Sequence, residues 1–313
     1  MTHCTTPERT RILLGPRLST PSPSTFSIVG YDPEAQEWGI AVQSKFLAVG
    51  AVVPWAQAGV GAVATQAHAN TSFGPNGLAL MAQGLSAQEA LDQLITADKG
   101  RAHRQAGLVD AQGRPATFTG AECHAWAGGL TGTYYAAQGN ILVSGATVEA
   151  LARAFEEARG ELADRLISAL LAGQAAGGDR RGQQSAAALV VRREGGYGGC
   201  NDRYLDLRVD DDPAPIERLQ ALADLHHLFF KPPAPGEMVA IEGELAREAQ
   251  RILHWASYYD GPVTGEYDRP TRQAMSALIG NENFEERFDE EKGLISRQVM
   301  ALLRQKFSHP NTG

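Results

Sequence analysis

A carboxylate, a guanidinium and a hydroxyl fall close together at Asp179, Arg181 and Ser185, with Gln184 among them, just ahead of an apolar run. At a strand edge such a trio can orient a reacting amine. It can equally be a glycine-rich turn satisfied by its own side chains. Asn70 and Asn140 offer side-chain amides that could donate to a developing oxyanion. The alternatives are a capping role for Asn70 and a turn role for Asn140 in Gln138–Gly139–Asn140. Gln66 and Asp32 are weaker candidates. No metal or cofactor is expected. His226 and His227 are adjacent, so on a helix they diverge by roughly 100°. His68, His103 and His124 show no ligand spacing, and Cys4, Cys123 and Cys200 form no paired motif. No phosphate-cradling or dinucleotide glycine motif occurs in a strand–helix context.

These residues sit among short β-rich runs and amphipathic helices. Thr25–Asp32 (TFSIVGYD) and Trp38–Lys45 (WGIAVQSK) flank a polar turn and predict a hairpin. Val49–Val53 and Gly59–Thr65 predict further buried strands. Ser86–Ala97 predicts a helix opened by a capping box at Ser86 and Glu89. Ala106–Val109 and Ala116–Thr119 flank a second turn, Asp110–Arg114. Thr147–Ala172 carries a helical period and predicts one or two helices with a break at Gly160. Ser185–Arg192 and Tyr204–Val209 predict strands around Gly195–Gly199, and Ile216–Phe230 an amphipathic helix. Strands, helices, then strands predict a layered α+β domain, not a parallel βαβ sheet.

The chain has 313 residues and a formal charge of −8, which argues against a nucleic-acid scaffold and a polybasic membrane-surface protein. No apolar stretch reaches the roughly 18 residues of a membrane span. Residues 1–24 read as a disordered tail without a secretory apolar region. Residues 25–230 form the large domain. Lys231–Gly236 (KPPAPG) is a stiff linker, and 237–313 a small domain of three short helices around the loop Tyr258–Tyr267. Few, scattered cysteines suit a reducing, cytoplasmic compartment.

Two stretches carry resemblances. The opening TFSIVGYDPE…WGIAVQSKFLAVGAVVPWAQAGVGAVATQAHAN, followed by GPNG at Gly74–Gly77, Gln138–Asn140, Gly173–Ala187 and Asp206–Asp210, resembles a bacterial and archaeal family known only as domain of unknown function 1028. The resemblance implies an N-terminal-nucleophile (Ntn) hydrolase fold, a four-layer αββα sandwich. In that superfamily a Ser, Thr or Cys at the mature N-terminus attacks an amide, with its own α-amine as base. This implies Thr25 as nucleophile, with Ser27 on the same strand face as runner-up. Either needs residues ahead of it removed or untranslated. Otherwise Thr25 is a strand-end residue. Lys45 would lower pKa values near the nucleophile, or is a solvated lysine. The segment with Tyr258, Tyr259, Gly261, Gly265, Tyr267, Thr271 and Ala274 resembles a peptidoglycan-binding-like helical module.

The expectation is therefore an amidohydrolase acting on a small-molecule amide or short peptide. Thr25, Ser27, Lys45, Asn70 and Asn140 would form the site, with Asp179, Arg181 and Ser185 supporting it. The alternatives are a non-catalytic ligand-binding protein of the same fold, or a peptidoglycan-associated protein. No nucleic-acid or membrane partner is expected. A homo-oligomer stays open, as does peptidoglycan as ligand, against which the missing secretion signal counts.

Overall fold

The computed structural model describes residues 25–307; the tail expected over 1–24 lies outside the described residues. Contact density divides the chain after Ile216. The expected linker, 231–236, lies beyond that division.

The first unit is mixed α/β with antiparallel sheets. β1 (Thr25–Asp32) and β2 (Glu37–Ser44) form the expected hairpin, in register from Thr25 opposite Ser44 to Asp32 opposite Glu37. They occupy the middle of a six-stranded sheet. β9 (Ser185–Val191) and β10 (Arg203–Val209) lie beyond β2; β8 (Tyr135–Asn140) and β7 (Gly128–Gly132) lie beyond β1. A four-stranded sheet runs β3 (Pro54–Gln57), β4 (Gly61–Ala67), β5 (Arg104–Asp110), β6 (Pro115–Thr119). Every pairing is antiparallel, as the order of predicted elements required.

Alternation along β1 sends Thr25, Ser27, Val29 and Tyr31 to one face and Phe26, Ile28 and Gly30 to the other. Val29, Tyr31, Trp38, Ile40 and Val42 join Ala62, Ala64 and Val109 of the four-stranded sheet in one apolar cluster. On the opposite face lie α3 (Ala146–Glu157) and α4 (Leu162–Ala175), separated by Gly160 at φ +98°. A Cβ on Gly30 would come within 2.9 Å of Phe155, and one on Gly39 within 2.7 Å of Leu166. Glycine there is what lets these helices approach the sheet. α1 (Phe73–Ala82) and α2 (Ala87–Ala97) cover the four-stranded sheet, where Phe73, Met81, Leu91 and Leu94 pack with Val63 and Leu108. The capping box is present: Ser86 Oγ accepts from Glu89 N, and Ser86 N donates to the Glu89 carboxylate.

Several elements of the first unit differ from expectation. Val49–Val53 is not a strand; Val49–Ala51 is a single 3-10 turn. Ala48 turns the chain at φ 52°, the Val49 amide donates to Ser185 Oγ, and the amides of Val52 and Val53 return to the Val49 carbonyl. Val49 and Val53 are apolar because they are buried, not because they lie in a sheet. α1 was not foreseen because it contains Gly74, Pro75 and Gly77. Pro75 sits in the first turn, where its missing N–H costs nothing, and a Cβ on Gly74 would meet the Trp55 ring at 2.2 Å. β7 and the full length of β8 were also unforeseen.

In the second unit, α5 (Pro215–Phe230, mostly beyond the division) precedes α6 (Gly243–Trp255), α7 (Arg269–Glu282) and α8 (Arg297–Phe307). The last three match the expected three short helices. A small sheet of β11 (Met238–Ala240), β13 (Leu294–Ser296) and β12 (Phe288–Asp289) was not expected. Gln250 is buried in α6. Its amide donates to Thr264 Oγ1, the Glu266 carbonyl and Thr271 Oγ1, and accepts from the amides of Thr264 and Gly265. One fully bonded side chain thus fixes the loop before α7. Arg287, also buried, donates to the carbonyls of His227 and Leu228 in the last turn of α5 and to Glu237 Oε1 at 2.7 Å. A cation there complements the negative end of the α5 dipole. Among the described residues no helix is long and apolar enough to cross a membrane.

Candidate functional site

Antiparallel register lines up four polar residues at one end of the six-stranded sheet. Ser185 of β9 lies opposite Ser44 of β2, Ser44 opposite Thr25 of β1, and Thr25 opposite Asn140 of β8. Directly opposed residues share a sheet face, so the row presents two serines, a threonine and an asparagine to the facing sheet. All four are buried. Thr25 Oγ1 and Ser44 Oγ are 3.1 Å apart.

Behind this row runs a buried amide network. Ser27 Oγ donates to Gln66 Oε1 at 2.7 Å and accepts from Gln138 Nε2 at 2.7 Å. Gln66 Nε2 donates to Gln105 Oε1 at 2.8 Å and to the Thr25 carbonyl at 3.4 Å. Asn140 Nδ2 also donates to Gln105 Oε1, and Gln105 Nε2 donates to Thr119 Oγ1 and the Gly139 carbonyl. The network carries no formal charge and ties both sheets to the start of β1. Buried amides are tolerable only when bonded in this way. Gln105 and Gln138 were not singled out from sequence as site residues. Each is a polar residue buried within a strand.

The other expected residues divide. Asp179 Oδ2 accepts from the Lys45 backbone amide at 2.9 Å, and Oδ1 from the Arg181 amide at 2.8 Å; the Arg181 guanidinium closes on the same carboxylate at 3.3 Å. Asp179 therefore pins the turn after β2. The exposed Lys45 ammonium donates to the Gln183 carbonyl. Ser185 Oγ donates to the Phe46 carbonyl at 2.5 Å while accepting from Val49 N. Asn70 stands apart from the row: Nδ2 donates to Asp98 Oδ2, and Oδ1 accepts from Ser72. It lines a cavity of about 500 Å³ with Phe73, Asn76, Leu94 and Asp98. Asp32 ends β1, some 23 Å from Thr25 at strand rise, where its carboxylate accepts from the amides of Glu34 and Ala35.

The same end of the hairpin as Asp32 holds a buried acid not anticipated from sequence. Glu37 Oε1 accepts from Arg192 Nη1 at 2.8 Å, while Oε2 is buried without a hydrogen-bond partner. Burial raises its pKa to about 7; Arg192 opposes this, and Glu161 and Asp32 add to it. Three histidines without ligand spacing along the chain also come together. The His68 ring lies 5.4 Å from that of His103 and 6.5 Å from that of His124, centre to centre.

Comparison with known proteins follows the same division. A family model described as "Family of unknown function (DUF1028)" matches residues 25–219. A second, described as "Putative peptidoglycan binding domain", matches residues 228–303. A crystal structure of a protein from Silicibacter pomeroyi, described by the same DUF1028 model, is similar at 31% identity. The match covers 65% of this chain and 89% of that one, with a TM-score of 0.60. No curated protein matches the chain.

Proposed function

The chain belongs to the DUF1028 family through residues 25–219, and on that premise we propose that its first unit is an Ntn-type amidohydrolase with a four-layer αββα sandwich. Thr25 is the nucleophile. The reading requires the bond between Ser24 and Thr25 to break, which frees the Thr25 α-amine. An α-amine with a pKa of about 7.7–8 suits a general base at neutral pH. It takes the proton from Thr25 Oγ1 as that oxygen attacks the amide carbonyl of a small molecule or short peptide. The protonated α-amine then gives its proton to the leaving nitrogen, and an ester to Thr25 remains. Water hydrolyses the ester and restores the hydroxyl.

The observation that carries the reading is the cross-strand row, with Thr25 Oγ1 3.1 Å from Ser44 Oγ and Asn140 directly opposite on β8. Ser44 orients the attacking hydroxyl, and Asn140 is the proposed oxyanion donor. Gln66, bonded to the Thr25 carbonyl, fixes the start of the strand. Asp179, Arg181, Ser185 and Lys45 hold the neighbouring loops. Scattered cysteines suit action in a reducing compartment such as the cytoplasm.

A chain begun at Met-Thr25, from which the initiator Met is removed, tests this with a β-lactone that acylates N-terminal threonine. One adduct on the Thr25 peptide, absent from Thr25→Ala, is expected. An adduct that persists in Thr25→Ala, or none at all, overturns the reading. For residues 228–303 the family match favours peptidoglycan association as a second reading. Co-sedimentation with purified peptidoglycan above a mock control supports it, and equal recovery removes it.

A further inference from the structure

The geometry points to a divalent transition-metal site, of the zinc, cobalt or nickel class, held by His68, His103 and His124. It stands apart from the Thr25 reading and does not depend on it.

The three side chains come from three separate segments that the fold draws to one place. His68 follows the last residue of β4, and His103 precedes the first residue of β5. The His68 amide donates to the His103 carbonyl at 3.2 Å, so the β4–β5 ladder sets these two side by side. His124 lies between β6 and β7, and its carbonyl accepts from the Ile141 amide just past β8. Arg104 locks the base of the cluster. Its guanidinium donates to the His68 carbonyl at 2.6 Å and to Asp98 Oδ2 at 2.8 Å. That ion pair offsets the positive charge of Arg104 beside the imidazoles.

The spacing suits shared ligation. A metal–nitrogen bond is about 2.0–2.1 Å, and a tetrahedral angle at the ion then separates two imidazole centres by about 5 Å. His68 already meets His103 at 5.4 Å and His124 at 6.5 Å. His103 and His124 are exposed and His68 is half-buried. As placed, the three rings do not bring their nitrogens within ligating distance of one another; the two exposed rings would close on His68 by side-chain rotation.

One further feature favours an ion. His103 Nε2 lies 2.8 Å from the Glu122 carboxylate. A carboxylate on one ring nitrogen fixes the tautomer and leaves Nδ1 for the metal, the arrangement usual for metal-bound histidine. Three imidazoles leave a fourth position open to water or to an anionic ligand.

The test uses the full chain without an affinity tag, stripped by chelator and titrated with Co²⁺ and then Zn²⁺ by calorimetry and visible absorption. One equivalent should bind in the micromolar range or tighter, with Co²⁺ bands of nitrogen ligation. His68→Ala should weaken it by about 100-fold or more, and His103→Ala and His124→Ala each by at least about tenfold. Glu122→Gln should weaken it by about 10–100-fold with the Co²⁺ bands retained. If His68→Ala loses its thermal transition, the double variant of the exposed His103 and His124 serves instead. Wild-type affinity in the folded His68→Ala or double variant overturns the assignment. So does wild-type binding no tighter than millimolar.

Discussion

Thr25 and Ser44 face each other across the central hairpin with their hydroxyl oxygens 3.1 Å apart, at the sheet end where Asn140 and Ser185 continue the row. A hydroxyl pair of this kind fixes the direction of one oxygen's lone pairs and gives its proton a neighbour. If Thr25 reacts, Ser44 sets its aim. Ser44→Ala should then slow β-lactone acylation of the mature chain by about 10–100-fold, read by time-resolved mass spectrometry. The thermal transition should move little, since a small side chain replaces a small one. An unchanged rate would make the pair structural.

The amide network predicts a costly glycine substitution. A Cβ on Gly107 would come within 2.1 Å of Gln138 Oε1. Gln138 is held by Ser27 and Thr117 and cannot retreat without breaking bonds in a buried place. Gly107→Ala should destabilise the first unit by about 1–3 kcal/mol. The cost should shrink when Gln138→Ala is already present, as residues in direct contact couple. Additive losses in a double-mutant cycle by denaturant unfolding would contradict this.

Glu37 predicts a pH dependence of stability. Its folded pKa of about 7 stands above its unfolded value of 4.5, so the native state binds more protons between those values. The stabilising contribution is complete below about 4.5 and is lost as pH rises through about 7, up to about 3 kcal/mol. Glu37→Gln should flatten the melting-temperature profile between about pH 5 and pH 8. A profile of unchanged slope would assign the dependence elsewhere.

In the second unit, Arg287→Ala strips two α5 carbonyls and Glu237 of their buried cation. The expected loss is about 1–3 kcal/mol, the cost of leaving hydrogen-bond acceptors without their donor. Hydrogen exchange should show the loss in α5 and the small sheet first. Unaltered protection there would count against this role.

Legibility in the sequence tracked locality. The Thr25–Ser44 hairpin, the Ser86–Glu89 box and the Gly160 break rest on neighbours in the chain, and each could be read there. Helix α1 could not, because Gly74 and Gly77 answer to Trp55 and Val63 on other elements. Val49–Val53 looked like a strand because burial, not a place in a sheet, selects Val49 and Val53. Thr25, Ser27, Asn140 and Ser185 were singled out in advance, whereas Gln105 and Gln138 emerge only once strands far apart in the chain are placed side by side. His68, His103 and His124 converge from three loops, so no spacing rule along the chain could join them. The three-stranded sheet of the second unit is built from strands too short to leave a period.

Everything proposed for Thr25 depends on its amine being free. Intact mass and N-terminal sequencing of the protein purified from its native cells measure this directly. The account predicts a mature chain that begins at Thr25. A folded native protein that retains Met1–Ser24 would contradict it.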